Sequence, residues 1–354
     1  MIDIKDLDVI FPDGTAGLSN INLHVSEGEL VALVGPSGSG KTTLLRTIAG
    51  FVEPSSGSLS LGGQDVTRIP PEKRNIGMVF QQHAVWPHMS VAANVEYPLT
   101  RRKIAKASRK RLVSEVLNSV GLQGFEQRRP DSLSGGQRQR VALARAIVTD
   151  PRVVLLDEAL SALDEPLRDS LRRQLVTLNK TKNLTTIHVT HDRSEALAIA
   201  DKVVVLVEGH VQHIGTPSEL LNRPASPAVA QFMGDATLID ATLNADGTVE
   251  CSDLGIELTR ENYVPMDENL QPGDAVIVAV LPAHVSEVPP GSPNAIDAVV
   301  TSVLYEGNAF SITARASGAA GDKEFRATVT ERIDVGTPIS LDISGALVYL
   351  RPAS

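Results

Sequence analysis

Apolar positions along the chain follow two patterns that meet near Gly234. Before it, short apolar runs alternate with segments of helical spacing. Val31–Val34 reads as a strand, and after Lys41 the apolar residues Leu44, Leu45 and Ile48 recur at helical intervals. Ile76–Phe80, Arg152–Leu156, Thr185–Thr190 and Lys202–Val207 read as further strands. Helical spacing covers Val91–Leu99, Arg109–Val120, the stretch from Gln137 to a stop at Asp150-Pro151, Leu167–Leu178 and Ser194–Ala200. Strand–helix alternation predicts an α/β core on a largely parallel sheet. Residues 2–34 add strands split by turns at Pro12-Asp13-Gly14 and Glu27-Gly28, and residues 83–135 form a mainly helical insert. After Gly234 the runs shorten and turn signals multiply, as at Ala245-Asp246-Gly247 and Gln271-Pro272-Gly273-Asp274. That texture predicts a small all-β domain over 235–354, after a first domain over 1–234.

Charge sharpens this boundary. Residues 1–234 hold 27 Lys+Arg and 24 Asp+Glu, a balance of +3; residues 235–354 hold 6 and 18, a balance of −12. An acidic second half argues against nucleic acid as the main partner, since phosphate contacts need basic surface. The single cysteine, Cys251, excludes an internal disulfide and fits a reducing cytosol. No apolar run approaches the ~20 residues of a membrane span, so any membrane role is expected to come through a partner. Seven basic residues between Arg101 and Arg111 read as a solvated helix face, with anionic lipid as the sharper alternative.

Chemistry concentrates between the first strand and helix. Gly35-Pro36-Ser37-Gly38-Ser39-Gly40-Lys41-Thr42, followed by Thr43, fits G-x-x-x-x-G-K-[ST] in strand-to-helix context. Its glycines let backbone N–H groups wrap phosphates, and the helix N-terminus adds roughly +0.5 of an elementary charge. Lys41 is suited to the β- and γ-phosphates and the Thr42 hydroxyl to Mg²⁺. The chain is therefore expected to bind a nucleoside triphosphate. Val153–Leu156 delivers two carboxylates at a strand end: Asp157, suited to the Mg²⁺ shell, and Glu158, suited to a general base polarising water. Leu133-Ser134-Gly135-Gly136-Gln137 precedes a helix and makes either a second anion cradle or a simple cap. Thr190-His191-Asp192 ends a strand with an imidazole able to meet water or a γ-phosphate. Phe11 offers an aromatic face to a purine, although by itself it reads more readily as an ordinary core residue.

Together these stretches resemble the ATP-binding subunit of ATP-binding-cassette (ABC) transporters. The likeness is to importers with a C-terminal regulatory domain of TOBE or OB type, which serve maltose, spermidine, sulfate and ferric iron. It is dense over 1–234, where LSGGQ is the most specific signature, and thinner beyond, where it rests on β texture and on Val278–Val285. The resemblance implies a P-loop cassette fold with ATP and Mg²⁺ as ligands. It makes Phe11 the adenine-stacking residue, Gln81 a metal-touching relay, and His191 a switch contacting the γ-phosphate. Ser161–Asp164 becomes the loop crossing a dimer interface, with Asp164 near nucleotide. Residues 82–90 become the seat for a short helix of the membrane subunit. One departure is Ala159, where the family has proline after the glutamate.

The resemblance further implies a head-to-tail homodimer, each ATP lying between one chain's Lys41 loop and the other's Ser134–Gln137. Integral membrane permease subunits and, indirectly, a solute-binding protein complete the expected assembly at the cytoplasmic face of the cell membrane. A soluble cassette ATPase of DNA repair or ribosomes is the rival class. Repair types need long coiled coils and ribosomal types usually carry two cassettes, and the sequence shows neither.

Overall fold

The chain opens with an antiparallel pair, β1 (Ile2–Ile10) and β2 (Ala16–Val25), closed by a turn in which the Gly14 N–H donates to the Phe11 carbonyl. β3 (Leu30–Val34) follows, buried at every position, and leads into α1 (Lys41–Ala49). β4 (Ser56–Leu61) returns to pair with β1, and β5 (Gln64–Asp65) extends that sheet to the order β2-β1-β4-β5. The Arg74 guanidinium is buried and donates to the carbonyls of Thr47, Ile48, Thr67 and Ile69, closing the C-terminus of α1. Such donors satisfy carbonyls that the last turn of a helix leaves unpaired.

From β6 (Ile76–Val79) the chain enters the helical insert, α2 (Val91–Arg101) and α3 (Lys106–Ser119), and returns through α4 (Gly135–Ile147). β7 (Val153–Asp157), α5 (Glu165–Lys182), β8 (Thr185–Val189), α6 (Arg193–Ile199), β9 (Lys202–Val207) and β10 (His210–Gly215) complete the layer. The second sheet has the order β10-β9-β3-β8-β7-β6, parallel except for β10. β3, β7 and β8 are buried along their whole length, as expected for parallel strands covered on both faces.

The remaining strands form two further sheets. After α7 (Pro217–Asn222) and α8 (Pro227–Gly234) come β11 (Thr237–Leu243), β12 (Val249–Cys251), β13 (Ile256–Leu258), β14 (Tyr263–Pro265) and β15 (Ala275–Val280). β16 (Val285–Val288), β17 (Ile296–Tyr305), β18 (Phe310–Gly318), β19 (Gly321–Val329), β20 (Pro338–Ile343) and β21 (Ala346–Leu350) follow. One sheet runs β13-β12-β11-β15-β21-β14, the other β16-β20-β17-β18-β19. All pairs are antiparallel except β14 with β21. One apolar cluster, including Ile239, Val278, Ile312, Phe325 and Leu341, fills this β part, and Cys251 is buried within it.

The computed structural model describes residues 1–81, 84–160, 165–318 and 321–351, and its contacts divide the chain into Met1–Pro217 and Ser218–Ser354. The charge shift near Gly234 lies further along than this division. Residues 218–234 side with the strands because Tyr349 donates its hydroxyl to the Pro224 carbonyl, and Ala230 packs with Ala279, Leu281 and Leu347. Among the described residues, no helix is long and apolar enough to cross a membrane.

Candidate active site

Parallel strands deliver their C-terminal ends to one edge, and there the open α/β sheet binds ligands. The register fixes which groups meet. Val79 pairs with Leu156, Asp157 with Val189, and Leu33 with Val189. Gln81, Glu158 and His191 each follow one of these positions by one or two residues, so they converge. Gln81 Nε2 donates to Glu158 Oε2 at 2.7 Å, and His191 Nδ1 lies 3.6 Å from the same oxygen. Glu158 holds a left-handed backbone, φ 46°, while its N–H donates to the Val189 carbonyl at 3.0 Å. A non-glycine residue there carries strain, and strained residues cluster where geometry serves function. Ala159, the departure from the family pattern, is buried in the core of the helical insert.

The loop after β3 is shaped by glycine. A Cβ on Gly35 would sit 2.0 Å from the Leu206 carbonyl oxygen, and Gly38 and Gly40 have φ of 79° and 99°. Gly40 caps α1 without a side chain, so Lys41, Thr42 and Thr43 begin a helix whose first N–H groups meet no capping side chain. The Lys41 ammonium is buried and bonded to the carbonyls of Gly35 and Pro36 at 2.8 and 2.7 Å and to Ser39 Oγ at 3.2 Å. Burial lowers its pKa, and the Glu158 carboxylate opposes that only in part. Asp157 shows the reverse: burial pushes its carboxyl above the usual range, Arg46 pulls it down and Glu158 pushes it up again. Phe11 is half-buried beside the loop helix, its ring and the Thr43 methyl both bordering Gly17.

Ser134–Gln137 form the start of α4 as a full capping box. Ser134 Oγ accepts from the Gln137 N–H at 3.3 Å, and Gln137 Oε1 accepts from the Ser134 N–H at 3.0 Å. Gly136 lies against Leu167, where a Cβ would come within 2.5 Å. Among the described residues none of these four is hydrogen-bonded to the Lys41 loop. The structure therefore brings together Gln81, Asp157, Glu158, His191 and the loop, and leaves Ser134–Gln137 as a separate element in which Ser134 is exposed and Gly136 buried. Asp164, with Ser161–Leu163, lies outside the described residues, as do Gln82 and His83.

Trp86 is half-buried. It meets Tyr97 edge-on at 4.6 Å between ring centroids, and Arg145 stacks over it at 4.5 Å. Buried Asn94 holds the segment: its amide donates to the carbonyls of Trp86, Met89 and Ser90 and accepts from the Trp86 N–H. Phe80, Trp86, Tyr97, Pro98, Arg102 and Arg145 line a groove of about 400 Å³. Asn94, Arg46 and Arg172 all act on the site's surroundings, and no sequence motif marks them. Their partners Trp86, Asp157 and Asp192 lie 8, 111 and 20 positions away along the chain, respectively, and folding joins them.

Comparison with known proteins accords with this geometry. Residues 18–161 match the family model described as ABC transporter. The spermidine/putrescine import ATP-binding protein PotA of Nitrosomonas eutropha is 42% identical over 290 residues, 81% of this chain and 78% of that protein. The Fe(3+) ions import ATP-binding protein FbpC of Escherichia coli is 46% identical over 249 residues, 70% of this chain and 71% of that one. Among solved structures, the dimeric bacterial ABC transporter cassette MJ0796 is 31% identical with a TM-score of 0.55, covering 61% of this chain and 99% of its own. The cbiO1 cassette of Clostridium perfringens is 29% identical with a TM-score of 0.59, covering 62% and 89%. Phosphate loop, paired strand-end carboxylates and LSGGQ helix, in a fold shared with these cassettes, place the chain in the ABC transporter family, among the ATP-hydrolysing subunits of importers.

Proposed function

We propose that this ATPase works as a head-to-tail homodimer that powers uptake of a cationic solute, ferric iron foremost, through separate membrane permeases. The observation that carries the dimer is the separation of Ser134–Gln137 from the Lys41 loop within one chain. A built helix N-terminus that meets no phosphate site of its own chain is suited to a second chain's nucleotide. The cation follows from the relatives, one named for polyamines and one for ferric iron. Titrating the partner solute-binding protein with Fe³⁺, polyamines, sulfate and sugars tests it, and sulfate or sugar binding overturns the cation.

In the proposed cycle Lys41 leaves its loop carbonyls for the β- and γ-phosphates, and Phe11 stacks on adenine. Gly35, Ser37, Gly38, Ser39, Gly40 and Thr43 line the phosphates with backbone N–H groups, Pro36 shaping the loop without one, and Asp164 of the interface loop approaches the nucleotide. Thr42, Gln81 and Asp157 fit Mg²⁺: all three offer oxygen, the donor this hard cation takes, and a cation beside Asp157 offsets the burial that raises its pKa. Gln81 donates to Glu158 through nitrogen, which leaves the amide oxygen for the metal. When bound, Mg²⁺ would neutralise phosphate charge. Glu158 takes the proton of the attacking water, with His191 beside it to meet the γ-phosphate. Loss of that phosphate removes charge-assisted contacts between the chains, and the pair opens.

The groove around Trp86 is the proposed seat of a permease helix, which would hold the ATPase at the cytoplasmic face. Trp86→Ala is expected to spare isolated ATPase, since the ring's partners are Tyr97 and Arg145, while abolishing co-purification of an integral membrane protein. An equal fall in isolated ATPase makes Trp86 a core residue only.

Residues 235–354 are proposed to keep the two chains paired after ATP leaves, raising the partner's effective concentration to the millimolar range. With a balance of −12 each, two such domains repel, so pairing relies on apolar faces. A chain ending at Pro217, where the contacts divide, is expected to bind ATP with unchanged affinity. Its specific ATPase should rise with protein concentration where that of the full chain stays flat, and superimposable curves rule the tether out.

A further inference from the structure

Asp192, Arg193, Ser194 and Glu195 spell the D-x-x-E pattern of a capping box, in which the glutamate returns to the N-cap N–H. Half of that box is present: Asp192 Oδ1 accepts from the Glu195 N–H at 3.1 Å. The carboxylate of Glu195, however, turns inward and is almost fully buried. Its Oε2 accepts from the Thr190 hydroxyl at 2.7 Å, and its Oε1 lies 3.2 Å from Nε2 of His188, a wholly buried residue of β8. The Asp192 N–H that the glutamate would have capped donates instead to Thr190 Oγ1 at 3.0 Å. The chain of contacts thus runs from Glu195 through Thr190 to the backbone on both sides of His191.

Burial pushes the Glu195 carboxyl up, but His188, the Thr190 hydroxyl and Arg172 outweigh it and hold the pKa below the ordinary glutamate value. His188 Nδ1 has no hydrogen-bond partner among the described residues, and its Nε2 approach to Glu195 is not aligned as a hydrogen bond. Buried polar groups are seldom left so, and a helix cap requires neither the imidazole nor the buried charge. From the other side Arg172 of α5 grips Asp192 at 2.9 Å and Glu165 at 3.3 Å.

We propose that Glu195 is a positioning residue for ATP hydrolysis: through the Thr190 hydroxyl it fixes the Thr190–Asp192 turn that presents His191 to Glu158. The inference rests on the reading that His191 meets the γ-phosphate. A small displacement of such a group carries a large rate cost, because the reacting atoms tolerate little misplacement.

The test is steady-state hydrolysis by the full-length chain. Thr190→Val removes the hydroxyl at nearly constant volume, and Glu195→Leu removes the carboxylate. Each is expected to lower kcat on the order of tenfold or more, with the KM for ATP little changed. Thr190→Ser and Glu195→Gln keep a hydroxyl and an acceptor oxygen and should return most of the rate. Should Glu195→Leu fail to fold, Thr190→Val carries the test alone. His191→Ala separates the two claims. If it abolishes turnover while Thr190→Val and Glu195→Leu match wild type, the positioning role is overturned and that of His191 stands. If His191→Ala itself hydrolyses normally, the premise fails. A loss in kcat matched by a rise in KM and a lower melting temperature, unrescued by serine or glutamine, reduces Glu195 to a support of the fold and also overturns the proposal.

Discussion

Glu158→Gln is expected to bind ATP as the native chain does and to hydrolyse it at least about 10²-fold more slowly, the loss that accompanies removal of a general base. The amide keeps the shape of the side chain and an oxygen to accept from Gln81, now at 2.7 Å. It cannot take a proton from water, so ground-state contacts survive while about 2.7 kcal/mol or more is added to the barrier. The Lys41 loop is untouched by the change, which is why affinity should hold. If the proposed dimer forms, the variant accumulates as an ATP-bound pair, visible as a shift to twice the mass in gel filtration with ATP and not with ADP. Near-normal turnover would remove Glu158 from the catalytic role.

Ser134→Arg should abolish hydrolysis for a different reason. Ser134 caps α4 and is exposed, so arginine costs that helix a cap, about 1 kcal/mol, and leaves the hydrophobic core alone. The damage falls on the surface that would face a second chain's γ-phosphate, where bulk blocks approach. Nucleotide affinity of the monomer, measured by equilibrium dialysis at low protein concentration, should stay within about twofold, because Ser134 has no bond to its own loop. Mixing this variant with Glu158→Gln should restore part of the activity, since in a mixed pair the Lys41 loop and Glu158 of the Ser134→Arg chain face the native Ser134 of the other, leaving one site whole while both defects fall on the second. Loss of monomer affinity would show that both cradles act on one nucleotide within one chain.

Local pattern made much of this legible. The phosphate loop could be read because glycine, lysine and threonine do their work within eight adjacent positions. β3, β7 and β8 could be read because strands covered on both faces become unbroken apolar runs. The second domain's β texture was visible in its turns, though not its two-sheet pairing or the parallel β14–β21 contact, since strand order is set by long-range packing. Helix ends were less readable: α5 runs to Lys182, beyond the last apolar repeat at Leu178, because exposed charged residues continue a helix without marking it. Glu195 carries no sequence signal of its burial. Its D-x-x-E spacing describes a cap, and only the fold shows the carboxylate turned toward Thr190 and His188.

The order of strands in the central sheet sets a timetable for synthesis. β3 carries the phosphate loop near the start of the chain, yet its neighbours on both sides are β8 and β9. The Leu30 N–H, for example, donates to Asp201 Oδ2 across 171 positions. At about 5–20 residues per second, roughly ten to thirty seconds separate the emergence of the loop from that of the strands that enclose it. During that interval β1, β2 and α1 offer Leu7, Leu18, Leu44 and Ile48 as cover for one face of β3. Its hydrogen-bonding edges have no native neighbour until β8 and β9 emerge. A nascent chain stalled before Thr185 should therefore present an unpaired apolar strand, open to chaperones, and should acquire nucleotide binding only once the last of these strands has left the ribosome.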